Sequence, residues 1–416
     1  MASMLSALRA RRTSDLARVF LVAALLPACS DDAADDAAGA GPSAPDEVAG
    51  RGDLIELTPL GALDLPQVTA LLSENDLDTS AVRYGVDAYQ VVYRSVDPSG
   101  ALVRASAFVA LPQGPERVPE QVAWMHGTTV FRGEAASVNP ESSDRAAAVF
   151  FAAAGYATTA PDYLGLGLGE GPHPYDHLPT EVTAGIDALA ATDHAARELG
   201  RELGARLALS GHSQGGPASI ALARAVQDGD AAGLELASLA PISGPYDMSG
   251  SVRIAARGGI AYVTAYLGYL TVAWNRWLGL YATPGEAFLP PYDQTLEALF
   301  DNSHTTEQVF AGLPETLEEL FTPAFLERLR EPSGPLQAAL DEASRVCVWQ
   351  PRVEVKVYAS SADADVPIEN AEHCVSSFRE SGAEVPLIDL EDADHSESMT
   401  RSLPMVLEQF ERAWGR

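Results

Sequence analysis

The residues with the clearest chemical meaning are Gly211-His212-Ser213-Gln214-Gly215, a G-x-S-x-G pentapeptide. Such a match is weak by itself, because glycine and serine are common. Its flanks sharpen it: Arg206 to Ser210 is strand-like, and Gly216 to Arg224 is helix-like and rich in Ala, Leu and Ile. A serine at so sharp a strand-to-helix reversal takes a strained backbone conformation that lifts its hydroxyl above the sheet. Glycine is needed at 211 and 215 because any side chain there would collide as strand and helix close on each other. Ser213 is therefore the expected nucleophile. A hydroxyl is a poor nucleophile near neutral pH, so it needs a base within hydrogen-bond reach, itself oriented by an acid.

With the nucleophile on such a turn, the chain order must be Ser, then Asp or Glu, then His. Asp363 and Asp365 stand just beyond a strand-like run over 353–359, in Ala362-Asp363-Ala364-Asp365-Val366-Pro367. His395 stands just beyond another, over 385–390, and is the one histidine of eight to follow the final strand. An open parallel sheet assembles its site from loops at the carboxyl ends of its strands. Asp392 and Asp394 lie too close to the histidine in sequence to orient it and read as solvated loop acids.

The elements that must hold these residues follow from periodicity. A short helix near 66–72 precedes strands over 89–95 and 101–111, joined by the turn Asp97-Pro98-Ser99-Gly100. Strands are then expected at 121–125, 156–160, 206–210, 236–242, 353–359 and 385–390. Helices are expected at 144–154, 181–199, 215–226, 368–381 and from about Pro404 to Trp414. This alternation describes an α/β protein whose mainly parallel sheet carries helices on both faces. From about 249 to 343 no strand pattern appears. That stretch is helical, aromatic and repeatedly broken by proline, and reads as a lid inserted over one end of the sheet.

The chain resembles the α/β-hydrolases, and among them bacterial esterases related to the secretory lipase family. The likeness covers nearly all of residues 85–416. It rests on His126-Gly127-Thr128, Pro161-Asp162-Tyr163-Leu-Gly-Leu-Gly, His173-Pro174-Tyr175, the elbow at Ser213, Asp363-Ala-Asp-Val-Pro367 and His395. It implies an α/β-hydrolase fold with a helical lid insertion, and hydrolysis of carboxylic esters through an acyl-enzyme on Ser213 without a cofactor. In such relatives the acid precedes Val-Pro by three residues, which selects Asp363 over Asp365. The oxyanion donors would be the backbone N–H groups of Gln214 and Thr128. Asp162 and Tyr163 either brace the oxyanion loop or line the pocket, while His126 and His212 read as structural. His173 and His177 are four apart, but Pro174 opposes a helix between them and a third ligand is lacking, so no metal is expected. The stripe Tyr262, Tyr266, Tyr269 serves either packing of the insertion onto the body or an acyl pocket.

Composition limits the partners. Acids outnumber bases 58 to 27, the formal charge is -31, and Lys356 is the only lysine. Such a field repels phosphate backbones, so nucleic-acid binding is set aside in favour of a small-molecule ester or lipid substrate. A lid-bearing serine aminopeptidase, or a non-catalytic lipid-anchored binding protein, are the other readings. A prolyl-oligopeptidase type is disfavoured because only about 70 ordered residues precede the strand at 121–125, too few for a propeller.

Residues 1–28 read as an export signal, with Arg9, Arg11, Arg12 and Arg18 ahead of the apolar run Val19 to Leu26. Leu26-Pro27-Ala28-Cys29 resembles a bacterial lipobox, although proline departs from its commonest pattern. That makes Cys29 the expected lipidation site, with ordinary secretion the alternative. Residues 29–50 hold no aromatic residue and read as a disordered acidic tether, and 51–416 as the hydrolase domain. The protein would then be membrane-anchored, facing the periplasm or cell surface. In that oxidising setting Cys347 and Cys374 either pair or remain buried thiols.

Overall fold

The structure, a computed structural model, describes residues 50–415 apart from 116. The expected signal, Cys29 and nearly all of the tether lie outside the described residues. Ten strands form one mixed sheet: β1 (Leu54–Leu63), β2 (Val86–Val96), β3 (Leu102–Pro112), β4 (Gln121–Met125), β5 (Ala157–Pro161), β6 (Arg206–His212), β7 (Glu235–Ile242), β8 (Glu354–Val355), β9 (Val357–Ala359) and β10 (Leu387–Asp389). Their order is β1-β2-β3-β5-β4-β6-β7-β9-β10, with β8 also on β7. The pairs from β1 to β5 are antiparallel and those from β5 onward parallel.

The hairpin between β2 and β3 closes as the sequence leads one to expect. Asp97 Oδ1 accepts from Ser99 N at 2.8 Å and Ala101 N at 3.0 Å, and Gly100 takes φ +85°. The first strand, β1, was not expected. Its pairing slips at Leu54/Glu56 and at Pro59/Gly61, so bulges blur the alternation that would reveal it. The run over 353–359 is also interrupted, at Lys356 between β8 and β9.

Helices α1 (Leu65–Glu74), α2 (Ser143–Ala153), α3 (Leu178–Glu198) and α4 (Gly215–Asp228) follow the early strands. Between β7 and β8 come α5 (Met248–Ala255), α6 (Val263–Leu278), α7 (Pro284–Ala287), α8 (Tyr292–Leu299), α9 (Thr306–Ala311), α10 (Leu317–Leu320), α11 (Pro323–Arg330) and α12 (Gly334–Ala343). The last two are α13 (Glu369–Glu380) and α14 (His395–Ala413).

Alternation along each strand feeds two cores. Val122 and Trp124 pack with α2 and α14, whereas Ala123 and Met125 pack with α4 and α13. The inserted helices make a third apolar cluster that reaches the body through Val130 and Tyr175. Helix α14 corrects the sequence reading, which began it near Pro404. Asp394 and Glu397 form a capping box at its start, and the helix continues through Pro404. Burial of Met399, Leu403, Val406 and Phe410 outweighs a proline penalty of about 3 kcal/mol. Cys347 and Cys374 are joined as a disulfide across 27 residues, both sulfurs buried.

Candidate active site

Ser213 sits between the end of β6 and the start of α4 with φ +58°, a strained value for a residue with a side chain. Its backbone is held by Ser213 N–H to the Ile242 carbonyl at 3.0 Å and Gly216 N–H to the Ser213 carbonyl at 2.8 Å. The flanking glycines answer to close approach. A Cβ on Gly211 would strike the Gly215 carbonyl, and one on Gly215 would strike the Met125 carbonyl on β4.

His395, the first residue of α14, brings Nε2 to 2.9 Å from Ser213 Oγ, and its Nδ1 lies 2.6 Å from Asp363 Oδ2. All three side chains are buried. Asp363 is itself fixed, since its Oδ1 accepts the amide N–H groups of Asp365 and Val366, each at 2.9 Å. Burial by itself would push the imidazole below its ordinary pKa. The hydrogen bond and charge of Asp363, with Asp365 adding, outweigh burial and hold His395 above it. Asp365, the runner-up, turns elsewhere and accepts from the Tyr266 hydroxyl at 3.0 Å. Asp392 and Asp394 are exposed loop acids, as expected, with Asp394 also capping α14 and Asp392 pairing with Arg401 at 2.6 Å.

Gln214 stands at the head of α4, and Thr128 lies on the loop after β4. Both line the pocket that holds Ser213. Asp162 and Tyr163 brace that loop. The Asp162 carbonyl meets His126 Nε2 at 3.0 Å, and the Tyr163 hydroxyl donates to the His126 carbonyl at 3.3 Å. The Asp162 carboxylate is held by Ser106 Oγ at 2.6 Å and Ser137 N–H at 3.1 Å. Thr128 Oγ1 meets the Tyr175 hydroxyl at 3.0 Å, and the Tyr269 hydroxyl donates to the Thr129 carbonyl at 3.3 Å. His212 Nε2 sits 2.9 Å from the His395 carbonyl, and burial pushes its pKa well down, so it is a neutral support beneath the base.

Behind Ser213 the side chains of Gln214, His173 and Glu181 come together, of which Glu181 escaped sequence reading. Gln214 Nε2 donates to Glu181 Oε1 at 2.7 Å and lies 3.3 Å from His173 Nε2. Burial lowers the His173 pKa to about 3, which keeps it neutral, with Nδ1 on the Leu164 carbonyl at 2.9 Å. Burial and the charge of Asp176 push the Glu181 carboxyl well up. The hint in the sequence was that Glu181 shares a helix face with the small residues Ala184, Gly185 and Ala188, all buried.

The pocket at Ser213 measures about 610 Å³, part of it open to solvent. Its apolar wall comes from the insertion, through Met248, Val252 and Ala255 of α5 and Leu267 and Leu270 of α6. The tyrosine stripe divides in use: Tyr269 packs on the body by stacking on Tyr175 at 4.3 Å, Tyr266 lines the pocket, and Tyr262 is exposed.

No family profile matches the chain, and no curated protein matches it. Solved structures do. A protein of Legionella pneumophila assigned as a hydrolase superposes with a TM-score of 0.80 at 27% identity, over 86% of this chain and 98% of that one. The rice cell wall degrading esterase LipA of Xanthomonas oryzae gives a TM-score of 0.73 at 25% identity, over 87% and 96%. Lipase A of Candida antarctica in its closed state shares the fold, with a TM-score of 0.65 at 15% identity over 88% and 83%. The chain thus has the α/β-hydrolase fold; its likeness to the first supports a hydrolase, and that to LipA supports, at a coarse level, an ester hydrolase.

Proposed function

We propose that the protein is a serine hydrolase that cleaves carboxylic esters through an acyl-enzyme. The unbroken hydrogen-bonded path from Asp363 through His395 to Ser213 carries this reading. Ser213 Oγ attacks the ester carbonyl while His395 Nε2 takes its proton. The new C–O bond leaves a tetrahedral oxyanion facing the amide N–H groups of Gln214 and Thr128, each worth roughly 3 kcal/mol in the transition state. Collapse breaks the bond to the alcohol, which departs with the proton from His395, and water repeats the sequence to release the acid. The apolar wall of α5 and α6 receives the acyl chain.

We further propose that the chain is exported and tethered through lipidated Cys29, a reading supported by the lipobox-like sequence and by the Cys347–Cys374 disulfide, which belongs to an oxidising compartment.

Purified mature protein is expected to release p-nitrophenol from short or medium acyl esters, and a fluorophosphonate should label Ser213. Ser213→Ala should lower the rate by about five to six decades with an unchanged circular dichroism spectrum. Aminoacyl anilides cleaved with higher kcat/KM than esters would replace the ester reading with a peptidase. An unlabelled Ser213 would replace it with a non-catalytic binding protein.

A further inference from the structure

The buried carboxyls of this protein differ in how well they are supplied with donors. Asp162 has Ser106 and the Ser137 amide, Asp363 has two amides and a histidine, and Asp187 has Arg51 and Ser95. Asp176 is hydrogen-bonded to the Tyr175 hydroxyl, which it shares with Thr128 Oγ1 at 3.0 Å from that hydroxyl. The residue is 8% exposed, and it lines the pocket together with Thr128, Ser213 and Gln214.

Asp176 is held at φ +53°, a left-handed conformation that Asp adopts more readily than most residues. Glu181, a second buried carboxyl, is close enough for the Asp176 charge to raise its pKa. A carboxyl buried beside another at a pocket wall marks a residue retained for what it contacts, not for stability.

We propose that Asp176 is a specificity-determining residue that hydrogen-bonds a hydroxyl on the acyl chain, making hydroxyacyl esters the preferred substrate class. The inference rests on reading this pocket as the acyl site of an ester hydrolase. Burial pushes the Asp176 carboxyl up to about 7, so both of its protonation states are populated near neutral pH. A hydroxyl suits both, donating to the carboxylate and accepting from the acid. An ammonium suits only the first. Met248, Val252, Leu267 and Leu270 of the wall are apolar, and the Ser251 and Tyr266 hydroxyls that share the lining are engaged with Asn370 and Asp365.

The test compares ethyl butyrate with ethyl esters of butyrate bearing a hydroxyl on the second, third or fourth carbon, read by titration of released acid. At least one hydroxy ester should exceed the plain ester in kcat/KM by about tenfold or more. Asp176→Gly removes the carboxyl at a backbone angle glycine accepts, and should bring that ratio to about one. Asp176→Asn keeps hydrogen-bonding atoms in place and should retain part of the preference. A wild-type ratio near one, a ratio unchanged in Asp176→Gly, or an amino ester preferred to its hydroxy counterpart would overturn the proposal.

A second measurement needs no turnover. Calorimetry on Ser213→Ala should find hydroxybutyramide bound more tightly than butyramide, with the difference lost when Asp176→Gly is added. Equal binding of the two amides overturns the inference even where ester hydrolysis itself is observed. Absence of all hydrolysis with the binding difference intact counts against the ester reading alone.

Discussion

Replacing Asp363 with Asn separates the two acids that the sequence left in competition. Asp363 Oδ1 accepts two backbone N–H groups at 2.9 Å, and Oδ2 faces His395 Nδ1 at 2.6 Å. An asparagine must keep its oxygen toward the amides, because turning it over would leave two buried N–H groups facing an NH2. Its Nδ2 then points at His395 Nδ1 and donates to it. That forces the proton onto Nε2, the tautomer unable to accept from Ser213. A loss of roughly ten-thousandfold in kcat is expected, and at about 1.36 kcal/mol per decade this is about 5 kcal/mol of transition-state stabilisation. Asp365→Asn should cost no more than about tenfold, since an amide oxygen still accepts from the Tyr266 hydroxyl at 3.0 Å.

The pH profile provides an independent readout. His395 must be neutral to act as a base, and Asp363 holds its pKa above the ordinary value despite the opposing effect of burial. Wild-type kcat/KM should therefore rise with pH through an apparent pKa above 6.5. In Asp363→Asn burial is no longer outweighed, so the residual activity should titrate at lower pH. The assay is stopped-flow hydrolysis of a p-nitrophenyl ester across pH, with folding checked by circular dichroism. Equal losses in both variants, or a larger loss in Asp365→Asn, would refute the assignment.

The disulfide closes a loop spanning 27 residues, for which chain entropy gives about 3.5 kcal/mol. Cys347→Ala with Cys374→Ala should lower the unfolding free energy in urea by about that amount, and a change below about 1 kcal/mol would show that the bridge adds nothing. Mass spectrometry of membrane fractions should find acyl groups on Cys29, whereas a free mature terminus nearby would point to ordinary secretion.

Much of the positioning frame was legible because it depends on neighbours in sequence. The turn at Asp97 is made by its own side chain on amides two and four residues ahead, and the elbow is dictated by two glycines flanking Ser213 within one reversal. Strand β1 escaped for the complementary reason. Bulges at Leu54 and Pro59 break its local pattern, and only pairing with β2 makes it a strand. The start of α14 was misplaced because proline is a strong local signal, whereas burial of its apolar face on β6 and β7 is a tertiary effect.

By themselves, the sequence patterns determined the strand-and-helix alternation, the nucleophile turn and the chain order of serine, acid and base, since periodicity and steric exclusion act over a few residues. Tertiary structure alone decided that Cys347 and Cys374 pair and that Asp176 and Glu181 are buried near Ser213, while it joins Asp363, the acid the resemblance selected, to His395. A charge loses its water only when segments far apart in the chain close around it. Which carboxyls become buried is therefore set by packing, which sequence spacing does not encode.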